Sequence, residues 1–180
     1  RIQKEIAQRV SDNISAYFDK SISQLALFSD QIAPVMDSPE KLRDVSLDLL
    51  HSVVEFETIT VIDDAAREIS KISRHYTFTK DEYRGRQTDY FYHAAKQGKV
   101  QFGQVDISQF SNFPHLNLYY PIETMHADVR GVIHVKLNIL TLWKLISKYQ
   151  IGNTRYAYCV NSEGFLIAYA DPSSVLRNIN

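Results

Sequence analysis

The chain has 180 residues, a formal net charge of −1, 44% hydrophobic and 23% charged residues, and one cysteine, an ordinary soluble composition sized for one domain plus an addition. The near-zero charge argues against a nucleic acid partner, whose phosphates call for a basic excess, and the 12% aromatic content argues against disorder. The lone Cys159 excludes an intrachain disulfide and any cysteine-based zinc or iron–sulfur site, and no apolar run reaches the roughly 18 residues of a membrane span. The sequence opens on Arg1 without a signal peptide, which reads as a piece excised from a longer protein.

From Arg1 to about Ala33 there is neither glycine nor proline, and apolar residues fall at Ile2, Ile6, Val10, Ile14, Phe18, Ile22, Leu25, Phe28 and Ile32. Steps of three and four put one stripe along a long helix, which Pro34 ends. At 1.5 Å per residue it would run about 48 Å, more than one small domain needs. Its N-terminal half is therefore expected to project or to pair with a second copy. Ser38-Pro39-Glu40 marks a second helix start, continued by Leu42, Val45, Leu49 and Val53.

Phe56 to Ile62 is rich in strand-forming residues, Asp63-Asp64 is a turn signal, and Ile69 to Ser73 is a candidate returning strand. Thr88 or Asp89 would cap a short helix carrying Tyr90, Phe91, Ala94 and Ala95, closed by Gly98. Three strands follow at Val100–Ile107, His115–Ile122 and Gly131–Leu137. Alternation gives each of the last two an apolar side (Leu116, Leu118, Tyr120; Ile133, Val135, Leu137). The opposite side is mixed (His115, Asn117, Tyr119; Val132, His134, Lys136, Asn138). An apolar helix over Ile139–Ile146 leads to a hairpin, Tyr156–Val160 and Phe165–Tyr169, around Asn161-Ser162-Glu163-Gly164. The plan is α+β, with a long N-terminal helix on a five-stranded antiparallel sheet followed by a hairpin.

Several stretches carry a resemblance: "TDYFYHAAKQGKVQFGQVDIS", "FPHLNLYYPI", "RGVIHVKLNILTLWKLI" and, most specifically, "GNTRYAYCVNSEGFLIAYADPSSVLRN". They resemble the double Cache domains, PAS-like extracytoplasmic sensor modules of bacterial transmembrane receptors, over about residues 50–180. The proline, serine and V-L-R-N continuation is similar to a branch found mostly in sensor histidine kinases and nucleotide cyclases. The resemblance implies three parts: a signalling and dimerisation helix (1–36), a membrane-distal Cache domain (37–150) and the partial start of a membrane-proximal module (151–180). A two-stranded ribbon is marginal alone, so that hairpin must dock on the preceding domain or have lost its own sheet. The parent is expected to be a membrane-tethered histidine kinase with this portion in the periplasm or outside the cell. A chemoreceptor or a cyclase is the alternative parent, and a ligand-free structural module the alternative role.

In this fold the pocket lies between the sheet's polar face and the segment linking the hairpin to the third strand. The candidates there are Asn117, Tyr119, His134 and Lys136 from the sheet, Tyr83, Arg86 and Tyr90 from the covering segment, and Gln104 and Asp106 from the third strand. Amino-acid-binding members usually carry an arginine and a tryptophan near the short helix and an aspartate on the fifth strand. Here Gln87 or Thr88 stands near the arginine position with Arg84 and Arg86 displaced, Trp143 lies in the connecting helix, and Lys136 falls where the aspartate would. That reversal disfavours an α-ammonium, and Lys136 with Arg86 could clamp a small carboxylate. Such an anion would close the covering segment and bias the helices at a homodimer contact. The bland reading makes both cations solvated surface charges.

Neither H-E-x-x-H nor G-x-S-x-G nor a phosphate-cradling loop occurs, so no metal, cofactor or catalytic role is expected. Asp89 and His93, four apart, read as a surface ion pair, and Cys159 as a buried structural thiol.

Overall fold

The computed structural model describes residues 2–124, 126, 128–148 and 158–169. Helix α1 (Ile2–Ile32) runs into a short 3-10 turn (Ala33–Val35) and α2 (Pro39–Ser52). Strands β1 (Phe56–Asp63) and β2 (Glu68–Ser73) form a hairpin, followed by a 3-10 turn (Lys80–Glu82) and α3 (Tyr90–Ala95). Then come β3 (Gln101–Ile107), β4 (Pro114–Glu123), β5 (Val129–Asn138) and α4 (Leu140–Lys148). A second hairpin pairs β6 (Tyr158–Val160) with β7 (Leu166–Tyr169). The main sheet is antiparallel with order β2-β1-β5-β4-β3. The expected α+β plan is what the chain adopts.

The alternation read in the last two strands sorts the sheet into two faces. Leu116, Leu118, Ile133, Val135 and Leu137 are fully buried with Leu25, Phe28 and Ile32 of α1 and Leu42 and Leu49 of α2. That cluster is the main core. Of the α1 stripe, Val10 and Phe18 are also buried and Ile14 and Ile22 half-buried; the side chains of Ile2 and Ile6 lie outside the described residues. Gly131 opens the crowded part of β5 for a steric reason. A Cβ there would lie 2.3 Å from the Ile62 carbonyl oxygen and 2.9 Å from Met36 Cε.

In the β1–β2 turn Ala66 takes a left-handed backbone, φ 60°, which an alanine adopts at a cost. Asp63 compensates. Its Oδ1 accepts from the amides of Ala65 (3.0 Å) and Arg67 (2.8 Å), and Oδ2 accepts from Arg67 Nε (2.8 Å). At the other end of the hairpin, Arg74 donates to the carbonyls of Phe56, Val53 and Leu50, placing a cation at the C-terminus of α2.

In α3 Tyr90 is exposed while Tyr92 and Ala95 turn inward, with the Tyr92 hydroxyl donating to the Asp63 carbonyl at 2.8 Å. Ser38 stands at the N-cap of α2 with Pro39 following, as the sequence led us to expect, and its side chain makes no capping bond.

The β6–β7 hairpin docks on the preceding domain. Trp143 Nε1 donates to the Ile167 carbonyl (2.9 Å), Asn161 Nδ2 donates to the Phe102 carbonyl (2.8 Å), and Ile167 and Ala168 join the main core. Asn161 Oδ1 also accepts from the amides of Glu163 and Phe165, shaping the turn that Gly164 completes at φ 85°. Cys159 is half-buried against this core and its thiol is pushed up by burial. The expected start of that hairpin at Tyr156 and the stretch after Tyr169 lie outside the described residues.

Candidate ligand-binding site

The face of the sheet turned away from α1 is divided between a small apolar cluster and a cavity. Ile62, Ala66, Tyr92, Ala95, Tyr119 and Val132 seat α3 on one part of it. Beside them, strand register sets two polar rows: Lys71–Thr60–His134–Tyr119, and Thr58–Lys136–Asn117. A cavity of about 620 Å³ stands on these rows, within the usual range for a small-molecule pocket. Its floor is Thr58, Thr60, Lys71, His134 and Lys136; its walls are Tyr76, Phe78, Glu82 and Arg86 on one side and Asp106 to Phe110 on the other.

Two loops build those walls, and buried carboxylates anchor both. Glu68, with a side chain wholly removed from solvent, takes Arg86 Nη2 at 2.7 Å, Lys71 Nζ at 3.1 Å and the Arg84 amide at 2.9 Å. It ties the 76–86 segment to β2. Glu57 sits at a break in the β1–β5 register, where it accepts from Ser111 Oγ and Asn138 Nδ2, both at 2.9 Å, with His115 Nε2 at 2.8 Å. It holds the 108–113 loop down. Burial alone would raise the Glu57 carboxyl, but the bonds from His115, Ser111 and Asn138 outweigh it and hold the group below its ordinary value. Among the lining residues, Tyr76 stacks on Phe110 with centroids 5.0 Å apart, Phe78 packs edge-on against Tyr76 at 4.9 Å, and Lys71 lies over the Phe78 ring at 4.8 Å.

Four of the nine sequence candidates, Arg86, Asp106, His134 and Lys136, line the cavity. Arg86 and Lys136 are not the free surface cations of the bland reading. Arg86 is held by Glu68 and by Asp89 Oδ2 at 3.1 Å, and Lys136 Nζ meets Asp106 Oδ2 at 2.7 Å. His134 is 4% exposed. Its Nε2 meets Asn117 Oδ1 at 2.9 Å, its ring stacks on Tyr119 at 4.4 Å, and its Nδ1 has no hydrogen-bond partner among the described residues. Burial, then the charges of Arg86, Lys136 and Lys71, hold the imidazole well below its ordinary value.

The other five stand outside the lining. Asn117 and Tyr119 support it from one side. Asn117 Nδ2 donates to the Gln104 carbonyl (2.8 Å), and the Tyr119 hydroxyl donates to Asp89 Oδ2 (3.2 Å), with burial raising that phenol. Gln104 contributes this carbonyl, its own side chain being exposed. Tyr83 is half-buried outside the lining. Tyr90 turns away to the second hairpin, where Glu163 raises its phenol. The expected Asp89–His93 pair is replaced by other contacts. Asp89 binds Arg86, Tyr119 and the Tyr92 amide, while His93 Nε2 meets the Gln87 carbonyl at 2.7 Å.

Sequence reasoning missed Thr58, Thr60, Lys71, Tyr76, Phe78, Glu82 and the 107–110 stretch, all of which line the cavity. Thr58 and Thr60 carried a usable signal, since they alternate with the core residues Ile59 and Val61. A second hollow of about 640 Å³ lies by Asp30, Ala33, Pro34, Glu123, Thr124 and Arg130, but none of these residues is buried. Of these two hollows, the one over β1 and β5 combines concavity with a buried polar atom, His134 Nδ1, that has no partner among the described residues.

No family model matches the chain, and no curated protein matches it. Solved structures do. The ligand-binding domain of the Pseudomonas aeruginosa amino acid chemoreceptor PctC, in complex with GABA, is 16% identical with a TM-score of 0.73, over 98% of this chain and 78% of that one. The same organism's PctB domain with L-Arg is 18% identical, with a TM-score of 0.71 over 98% and 73%. The Pseudomonas fluorescens chemoreceptor CtaA domain with L-serine is 16% identical, with a TM-score of 0.71 over 97% and 73%. At such identities the likeness is one of fold, a long N-terminal helix on a five-stranded antiparallel sheet followed by a two-strand hairpin. The histidine-kinase affinity implied by the resemblance is corrected: the similar structures are ligand-binding domains of chemoreceptors.

Proposed function

We propose that this chain is the extracytoplasmic sensing domain of a membrane-anchored receptor of the chemoreceptor kind, binding a small carboxylate in the cavity over β1 and β5. The observation that carries the reading is the cavity itself. It is walled by two anchored loops whose aromatic rings stack on each other, and floored by Lys136 and by His134, whose Nδ1 has no partner among the described residues. The fold it shares with chemoreceptor ligand-binding domains supports the same reading, several of those structures holding compounds with a carboxylate.

On this reading the chain divides as the sequence suggested. Residues 1–36 form the signalling helix, 37–150 the ligand-binding domain, and 151–180 the start of a second module. The exposed N-terminal part of α1, including Lys4, Glu5, Gln8, Arg9 and Asp12, is the part left for a second copy. Ligand bound between the loops shifts the chain between two states only by its difference in affinity for them.

A thermal-shift screen of carboxylates, amines and sugars tests the reading: carboxylates should raise the melting temperature, and a panel without a hit would favour a purely structural module. Lys136→Ala should weaken the carboxylate hit by calorimetry, about tenfold or more for a lost charge-assisted bond. Because the Lys136–Asp106 pair is about one-third exposed on each side, its loss should cost the fold only about 0–1 kcal/mol. Unchanged affinity in Lys136→Ala would remove the clamp.

A further inference from the structure

We propose that the ligand carries an aryl ring along with its carboxylate, and that Tyr76, Phe78 and Phe110 form the subsite that selects the ring. The inference rests on the carboxylate reading above and names the second group that the ligand must carry.

Three aromatic side chains in a largely polar lining call for a reason. Tyr76 and Phe110 are 40% and 50% exposed, and Phe78 is half-buried. Among the described residues, none of the three belongs to either apolar cluster that holds the fold together, yet all line the same cavity. Apolar surface gathered in a concavity and left uncovered marks a place where an apolar group binds. The rings come from loops that follow β2 and β3, the opposite edges of the sheet, and polar contacts hold both loops. Ser108 Oγ accepts from the amides of Phe110 and Ser111, both at 3.2 Å, and Ser111 Oγ reaches Glu57. On the other side Glu82 accepts from the Thr79 amide at 2.8 Å and from the Tyr76 hydroxyl at 2.7 Å. The rings are thus preorganised, which lowers the cost of ordering them around a ligand.

Their mutual geometry favours a flat partner. Tyr76 and Phe110 lie within 16° of parallel, and Phe78 meets Tyr76 at 72°; these are the stacked and edge-on arrangements that aromatic quadrupoles prefer. A further aryl ring continues either pattern, whereas a saturated ring gains only the buried area. The charged end of the cavity is open to the same molecule. The side chains of Lys136 and Asp106 are 34% and 36% exposed, so an incoming group reaches the pair. The Lys136 ammonium uses one of its three donors on Asp106. Asp106 and Phe110 are four residues apart on one segment, at most about 14 Å of backbone, so one small molecule spans from the cation to the rings.

Calorimetry with four probes tests this: propionate, 3-phenylpropionate, 3-cyclohexylpropionate and 3-phenylpropan-1-ol. 3-Phenylpropionate is expected to bind about ten- to hundredfold more tightly than propionate, the gain for burying a phenyl group. It should exceed the cyclohexyl acid by about two- to tenfold, the further gain of an aromatic pair. The alcohol, which keeps the ring without the charge, should bind about tenfold or more weakly than 3-phenylpropionate. Phe110→Ala, a change at a half-exposed position, should cut the preference for 3-phenylpropionate over propionate by about three- to tenfold and leave propionate unchanged. A merely structural ring would lower both acids alike. 3-Phenylpropionate binding no tighter than propionate, or no tighter than the cyclohexyl acid, overturns the inference and leaves the carboxylate site standing. An unaltered preference in Phe110→Ala, or an equal loss for both acids, overturns it likewise. An alcohol that matches 3-phenylpropionate overturns the carboxylate reading on which the inference rests, and binding by none of the four removes both together.

Discussion

Glu68 concentrates more of the site's architecture than any residue that touches the cavity. Its side chain is fully buried and shared by Arg86, Lys71 and the Arg84 amide. Removing its charge leaves two largely buried cations short of a partner, the situation in which breaking an ion pair is most costly. Glu68→Gln should lower stability by about 3 kcal/mol, read as a shift of the denaturation midpoint at unchanged slope. A loss below about 1 kcal/mol would mean that solvent compensates the cations.

His134 gives the same scale a pH dependence. Its folded-state value lies well below 6.5, so the unfolded chain takes up the proton first as the solution is acidified. Stability therefore falls as the pH drops through about 6.5, and goes on falling until the folded state can bind the proton too. Glu57 acts lower down. Held beneath 4.5 in the fold, it contributes stability above that value and loses it as the pH falls through its folded value. Melting temperatures taken between about pH 7.5 and pH 5.5 should decline in the parent chain and decline less in His134→Phe. Identical slopes would show that His134 does not carry the effect.

Among the elements, β4 and β5 were legible because each has one dry face, which makes alternation visible: Leu116 and Leu118 against Asn117, Ile133 and Val135 against His134. β1 hid its polar side. It is buried along its whole length, so Phe56, Ile59, Val61 and Ile62 read as one apolar run, and Thr58 and Thr60 passed as strand formers rather than as cavity floor. The walls could not be read at all. Tyr76 meets Phe110, and Ser111 meets Glu57, across 34 and 54 residues of chain, and no local period encodes a contact between two irregular loops. Arg86 was recognised as a charge, yet the partner that neutralises it, Glu68, sits on a strand with no pattern to announce it.

The β5 glycine tests this level directly. A Cβ at 131 would meet the Ile62 carbonyl oxygen at 2.3 Å, and backbone cannot step aside as a side-chain tip can. Gly131→Ala should cost about 1–3 kcal/mol, the range for overpacking, by forcing β1 and β5 apart at the end where the β1–β2 turn begins. A melting temperature equal to that of the parent would show that the strands part without cost at this point.

Taken whole, the molecule is a sheet with one face committed to a core under α1 and the other divided between α3 and a polar hollow. The second hairpin extends the core through Ile167 and Ala168 rather than standing apart, so its two strands are stable without a sheet of their own. The Tyr76–Phe110 pair in the cavity lining joins the two loops, and through Glu68 and Glu57 those loops connect to β2 and β1. These contacts join the lining of the hollow to the sheet on which α1 lies.

The most direct measurement is an amide-resolved titration of the ¹⁵N-labelled chain with 3-phenylpropionate, a carboxylate with an aromatic ring and no further polar group. Saturable shifts should appear at Thr58, Thr60, Lys71, His134 and Lys136 and in the loops around Tyr76 and Phe110, with the middle of α2 unmoved. Saturable shifts gathered instead around Pro34 and Arg130, or the absence of saturation at any site, would contradict the account.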